Sequence, residues 1–207
     1  MPLLSERVFD SSFDCRTKCY FLLHGRRGPK TEYETHASES NRIYQRAAIS
    51  KLQGLQDTEI LKLPTITPSA LSGGSSQLVI IKRIEINECR SDAVVLLRSV
   101  STHMLFQPLL FNRYEEISSR LKLLLGFRAA LVGAAIGVVP THGLIISGRD
   151  FKRTRISLPL WIPKSRGVMH DINELQNKPS PRSFYALIVG FVNFEQNASH
   201  AQPRKIT

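Results

Sequence analysis

The sequence predicts an α/β fold, a mixed sheet flanked by helices, and three observations predict it. A block rich in β-branched residues, Leu78 to Arg98, is broken once by a polar turn. An apolar run from Leu123 to Val139 has the length of a long helix. Before, between and after these, the apolar spacing gives the order helix, three strands, long helix, strand, strand. Three consecutive strands joined by short turns should be antiparallel neighbours. A long helix that then returns the chain to another strand makes a layered α/β fold. At 207 residues the chain is long enough for one sizeable core. Residues 1–185 are expected to form a single domain with a mobile loop near 64–76, and residues 186–207 to add a C-terminal strand and polar tail.

The elements follow in order. Residues 7–23 read as an apolar segment holding two cysteines, broken by Gly25 to Pro29. A helix is expected next, with Ser38 as N-cap. Ile43, Tyr44, Ala47, Ala48 and Leu52 recur at helical spacing, and Gly54 closes the run. Residues 64–76 are rich in Pro, Ser and Gly and read as a loop. Strands are expected at Leu78 to Ile86, Asp92 to Arg98 and Met104 to Phe111, with Asn87 to Ser91 as a polar turn. Pro108 cannot donate a ladder hydrogen bond, which suggests an edge or a bulge. A helix over Glu115 to Val139 stops at Pro140. Strands at Leu144 to Ser147 and Thr154 to Leu158 flank a Gly-Arg-Asp turn, and a short helix is expected near Asp171 to Gln176.

Composition narrows the function. The net charge is +11 and it is uneven. Residues 118–207 carry thirteen Lys or Arg against four Asp or Glu, whereas residues 1–60 carry nine against eight. Such a surface neutralises phosphates and releases counterions, so nucleic acid is the expected partner. A solvated basic face kept for solubility is the alternative. The apolar run at 123–139 contains Arg128 and three glycines, and a membrane helix needs about 20 clean apolar residues. A buried core helix is expected instead, and membrane anchoring by residues 121–139 is a separate hypothesis that a detergent-free preparation would remove. Gly133 and Gly137 form a GxxxG pair that would let a second backbone approach. The first residues carry no apolar run behind a basic start, so no signal peptide is read. Three cysteines, Cys15, Cys19 and Cys89, fit a reducing compartment, and the expected location is the cytoplasm.

Several segments carry a resemblance. Cys15-Arg-Thr-Lys18-Cys-Tyr20-Phe-Leu-Leu23, then Thr31-Glu-Tyr-Glu34, then Arg42-Ile-Tyr-Gln-Arg-Ala47, resembles the N-terminal part of the RecB-like nucleases. These are relatives of the iron–sulfur exonucleases of CRISPR adaptation. Gln107-Pro-Leu-Leu-Phe111 and Pro140-Thr-His-Gly-Leu-Ile-Ile-Ser-Gly148 look like later landmarks of the same family. The similarity runs over most of residues 9–175, and its weight lies in the order and spacing of the segments. It implies the αβββαβ core of the PD-(D/E)XK superfamily and Mg²⁺- or Mn²⁺-dependent cleavage of DNA. In that chemistry an Asp on the second core strand and a Glu/Asp-x-Lys on the third hold the cation and position the attacking water. It also admits protein partners of a DNA-processing complex.

Asp92 stands where the first carboxylate and metal ligand is implied, although an Asp that merely ends a turn is equally common. The third strand departs from the pattern. Gln107-Pro108-Leu109 occupies the place of Glu-x-Lys, and no acid or Lys lies between Met104 and Phe111. Gln107 offers an amide oxygen without charge. Glu85, on the first strand, could face the same site or pair with Lys82 or Arg83. Glu115 and Glu116 could reach inward or form a solvated helical turn. A catalytically inactive nucleic-acid-binding or assembly module of the same fold is the alternative to an enzyme. Cys15 fits the first position of a four-cysteine cluster, but no cysteine follows Cys89, so no iron–sulfur cluster is expected. His24, His36, His142 and His200 have no spacing that supports zinc. For binding, Arg149, Lys152, Arg153 and Arg155 surround Phe151, an aromatic that could stack on a base, and Lys164 and Arg166 follow Trp161. The alternative is a charged hairpin tip that protects a sheet edge.

Overall fold

Thr31 opens the longest helix. Its hydroxyl accepts from Glu34 N at 3.1 Å, and the Glu34 carboxylate accepts from Thr31 N at 3.2 Å. This reciprocal pairing satisfies two of the donors a helix start leaves free. The helix therefore begins six residues before Ser38, which lies in its interior, and it runs through Gly54 to Gln56. A computed structural model describes residues 3–26, 28–56, 60–66, 78–98 and 106–177. Most of the expected loop at 64–76 and all of Tyr185 to Thr207 lie outside them.

In chain order the elements are β1 (Leu4–Ser5), α1 (Glu6–Ser11), α2 (Arg16–Leu23), α3 (Glu32–Gln56), β2 (Ile60–Leu63), β3 (Leu78–Ile86), β4 (Cys89–Arg98), β5 (Phe106–Asn112), α4 (Ser119–Ile136), β6 (His142–Ser147), β7 (Lys152–Ser157) and α5 (Trp161–Gln176). The expected order of helix, three strands, helix and two strands is present. The sheet order is β2-β3-β4-β5-β6-β7, with β1 beside β4. It is mixed: β2 and β3, β5 and β6, and β1 and β4 run parallel, while the other pairs are antiparallel. β1, α1 and β2 are additions that the apolar pattern of the sequence leaves unmarked.

The β3–β4 turn contracts to Asn87 and Glu88, both at positive φ, +48° and +62°. Two left-handed residues give a turn whose twist matches that of the strands, so β4 starts at Cys89. Pro108 is buried in an interior strand, opposite Leu96. The β6 ladder starts only at Leu109, so Pro108 has a sheet partner on one side alone and its missing donor costs no bond there. α4 is shorter than expected. Ser118 caps it through Leu121 N, leaving Glu115 and Glu116 in the connection, and Gly137 ends it at φ +75°. The GxxxG pair thus serves a turn. A Cβ on Gly133 would come 3.1 Å from the Val139 backbone as the chain folds back. α5 is twice the expected length or more, because Pro163 falls in its first turn, where proline is tolerated.

The two sheet faces are covered differently. Val79, Ile81, Val94 and Leu96 pack under α1, α4 and α5, where Phe9 and Phe127 stack at 4.7 Å between ring centres. Neither ring is exposed at all, so each contributes about 2–3 kcal/mol by burial. On the other face Ala48 and Leu52 of α3 cover Leu78, Val95, Leu109 and Ile146. Among the described residues no helix is long and apolar enough to cross a membrane.

Candidate nucleic-acid interface

Asp92 lies on β4 beside a gap in the sheet. The ladder between β4 and β5 pairs Arg98 with Phe106 through to Val95 with Leu109, and there it stops although both strands run on. β1 joins the same edge of β4 further along, at Cys89 and Arg90. The gap between is filled by side chains. Arg128 of α4 donates to the Leu109 carbonyl at 2.9 Å and grips Glu6 of α1 with two bonds, 2.7 and 3.1 Å. Ser91 donates to the same Glu6 carboxylate. Next to this, Arg120 bridges Asp10, at 2.7 Å, and Asp14. The hydrogen bond to Asp10, with those to Asp14, pushes the Arg120 guanidinium above its ordinary pKa.

A cavity of about 440 Å³ opens here, lined by Glu6, Asp10, Asp92, Arg7 and Arg90. Three carboxylates therefore share one cavity wall, but each already has an arginine. Asp92 is half-exposed and lies 3.5 Å from Arg83 Nε and 3.3 Å from Arg90 Nη2. Glu6 is held by Arg128, and Asp10 by Arg120. A hard divalent cation takes oxygen ligands, and here each of these carboxylates is shared with an arginine. Among the described residues no three His, Cys, Asp or Glu side chains form a set that could hold a metal ion. In this arrangement the arginines would have to release these carboxylates before Mg²⁺ or Mn²⁺ could take them as ligands.

The structure does not bring the three expected catalytic residues together. Gln107 pairs with Leu97, five residues along β4 from Asp92 and of the opposite parity. It therefore points to the other sheet face, about 16 Å along the strand. The sequence placed both residues on the right strands, but only the register decides their faces. Glu85 is exposed and stands opposite Arg90 on the same face of the hairpin as Asp92, with Arg83 and Arg90 between them. Glu115 packs against Gly148, and the Glu116 carbonyl accepts from buried Asn112. Cys15 caps α2 by accepting from Lys18 N, while Cys19 is buried and donates to the Val8 carbonyl. Burial pushes the Cys19 thiol pKa up.

The basic segment forms the far edge of the sheet, where β7 has β6 as its neighbour in the sheet order. The turn before it is fixed by α3. Tyr44 donates to the Gly148 carbonyl at 2.9 Å and Lys51 to the Asp150 carbonyl at 3.2 Å. Phe151 adopts φ +56° and stacks on Tyr44 with ring centres 5.2 Å apart. Lys51 stands 5.0 Å from the same ring. That ring is already occupied within the protein, so stacking on a base would require the Tyr44 contact to open. Arg149, Lys152, Arg153 and Arg155 are exposed. Strand alternation divides them: Arg153 and Arg155, opposite Ile146 and Leu144, lie on the α3 face, and Lys152 on the face of α4 and α5. Lys164 and Arg166 are exposed on α5.

No family model matches the chain, and no curated protein is significantly similar to it.

Glu6, Asp10, Arg120 and Arg128 escaped the sequence reading. Arg128 did leave a signal: a cation inside an otherwise apolar helix needs a buried partner or a carbonyl to be tolerated. Nothing in the sequence identified Glu6 as that partner, 122 residues away.

Proposed function

We propose that this chain is a nucleic-acid-binding module of the RecB-like nuclease type, acting on DNA, with its hydrolytic site not in use. One observation carries the reading. From β7 into α5 the chain exposes Lys152, Arg153, Arg155, Lys164 and Arg166, and among the described residues none of them is ion-paired with an acid. Unpaired cations along one edge gain most when phosphates neutralise them and counterions are released. The succession α3, β2, β3, β4, β5, α4, β6 contains the αβββαβ order implied by the resemblance, with β2 as an extra strand before β3. The arginines on Glu6, Asp10 and Asp92 argue for binding over cleavage. The cytoplasm and a DNA-processing complex are the setting this reading suggests.

The test is a salt titration of binding to labelled single- and double-stranded DNA. Replacing Lys152, Arg153 and Arg155 together with Ala should weaken binding to all sequences and flatten the salt slope by about one unit per lost contact. Unchanged affinity and slope would reduce the edge to a solvated strand that resists aggregation.

A second reading is favoured by the shared cavity of Glu6, Asp10 and Asp92. In it the protein is a Mg²⁺- or Mn²⁺-dependent nuclease whose arginines release these carboxylates when substrate arrives. Asp92→Asn should then abolish metal-dependent cutting and leave binding intact. Absence of any cutting by the unaltered protein would remove this reading.

A further inference from the structure

Trp161 begins α5 and stands where two helices bring lysines together. Lys122 Nζ of α4 lies 5.5 Å from its ring centre, and Lys164 Nζ of α5 lies 5.0 Å from it. The two ammonium groups are therefore no more than about 11 Å apart. The backbone fixes this arrangement. α4 and α5 approach so closely at Gly126 that a Cβ there would come 2.8 Å from the Trp161 carbonyl oxygen. The Ser165 hydroxyl lies 2.7 Å from Leu123 O of α4 and 2.8 Å from Trp161 O of its own helix, so its one proton is shared between the two carbonyls and ties the helices further.

Among the described residues, what is missing around the pair is an acid. α4 contains no Asp or Glu, and neither does β7. The two acids of α5, Asp171 and Glu174, lie in its C-terminal half. In the connection before α4, Glu115 packs against Gly148 and Glu116 lines the cavity on the α1 and α3 side. Among the described residues neither lysine has a carboxylate partner, and exposed Arg166 adds a third cation to the same helix turns. Two cations held at one ring, from two rigidly packed helices, present a preformed site for a compact anion with several acceptor oxygens.

We propose that Lys122 and Lys164, positioned by Trp161, bind a phosphate group of a nucleic-acid backbone. The choice of nucleic acid as its source rests on the function proposed above and on chain continuity with the β7 cations. The ring holds the ammonium groups in place and leaves base identity unread, so the site is sequence-independent.

Trp161 is the only tryptophan of the chain, so its emission reports on this site. The experiment titrates the full chain with a short labelled oligonucleotide and, separately, with inorganic phosphate, following tryptophan emission and the anisotropy of the label. The comparison protein is Lys122→Gln combined with Lys164→Gln, with its melting temperature measured as a control of folding. The expected result is a saturable emission change with the oligonucleotide. In the double variant, affinity should fall about tenfold and the salt slope should flatten by about one unit, with the melting temperature unchanged. An emission response to inorganic phosphate but none to the oligonucleotide would overturn the backbone as the source. Oligonucleotide binding with silent emission and no loss in the double variant would overturn the site while leaving the nucleic-acid function standing. Absence of oligonucleotide binding by either readout would overturn both.

Discussion

Arg128→Ala tests the closure of the gap beside Asp92. The Arg128 side chain is 12 % exposed and that of Glu6 20 %, so the pair sits mostly away from water. Truncating one partner of such a pair leaves a charge without compensation, at a cost of about 3 kcal/mol, the low end for buried pairs because some water still reaches Glu6. The Leu109 carbonyl also loses the guanidinium donor, a further cost of about 1 kcal/mol. The sum, about 4 kcal/mol, is a large part of the 5–15 kcal/mol typical of a folded domain. At this chain length it corresponds to a melting point about 8–16 °C lower. Arg128→Lys should recover part of the loss, since an ammonium keeps the charge but lacks the planar fork that meets both Glu6 oxygens and the Leu109 carbonyl together. The assay is denaturant unfolding of Arg128→Ala, Glu6→Ala and the double variant. The double loss should fall short of the sum of the single losses by about 2–3 kcal/mol. Strict additivity, or a loss under about 1 kcal/mol for Arg128→Ala, would show that the network does not join α1, α4 and β5 energetically.

Other expectations follow from the same contacts. Gly126→Ala should destabilise by about 1–3 kcal/mol, because the new methyl meets the Trp161 carbonyl; a neutral or stabilised variant in thermal melts would mean that α4 and α5 separate freely. Phe151→Ala should cost about 2 kcal/mol by removing the Tyr44 stack, and a loss of single-strand binding with unchanged stability would instead mark the ring as free for a base. Hydrogen bonds from Lys18 and from the Thr31 backbone hold the Glu34 carboxyl below its ordinary pKa. Their stabilisation is therefore present above the ordinary carboxylate range and is lost as pH falls through the depressed value. Acid titration of Glu34→Gln should lack this part of the pH dependence, and identical acid curves would refute the assignment. A thiol reagent should label Cys15 in the native protein, with Cys19 and Cys89 reacting only on unfolding; three equally fast thiols would contradict their burial.

The sequence alone determined the α/β class, the succession of major elements and the concentration of positive charge in the second half of the chain. These depend on local spacing and on counts: β-branched alternation sets β3, helical spacing sets the body of α3, and acids are simply absent from α4 and β7. Even some local signals need their neighbours to be read. Thr31 and Glu34 form the cap of α3, but Ser38 stands closer to the apolar repeat and competes as a cap in the sequence. Likewise the prolines of residues 159–163 look like breaks until Pro163 is placed in a first helical turn. Only the tertiary structure decided which side chains meet. Asp92 and Gln107 occupy the expected strands, yet a pleated strand sends alternate residues to opposite faces, and the register between β4 and β5 separates them. Phe151 reads as an exposed aromatic among cations, but α3 returns over the β6–β7 turn and Tyr44 covers the ring. Glu6 finds Arg128, and Lys122 meets Lys164 at Trp161, across separations of 122 and 42 residues. Such pairs are set by the packing of helices on the sheet, a property of the whole chain that no local pattern encodes.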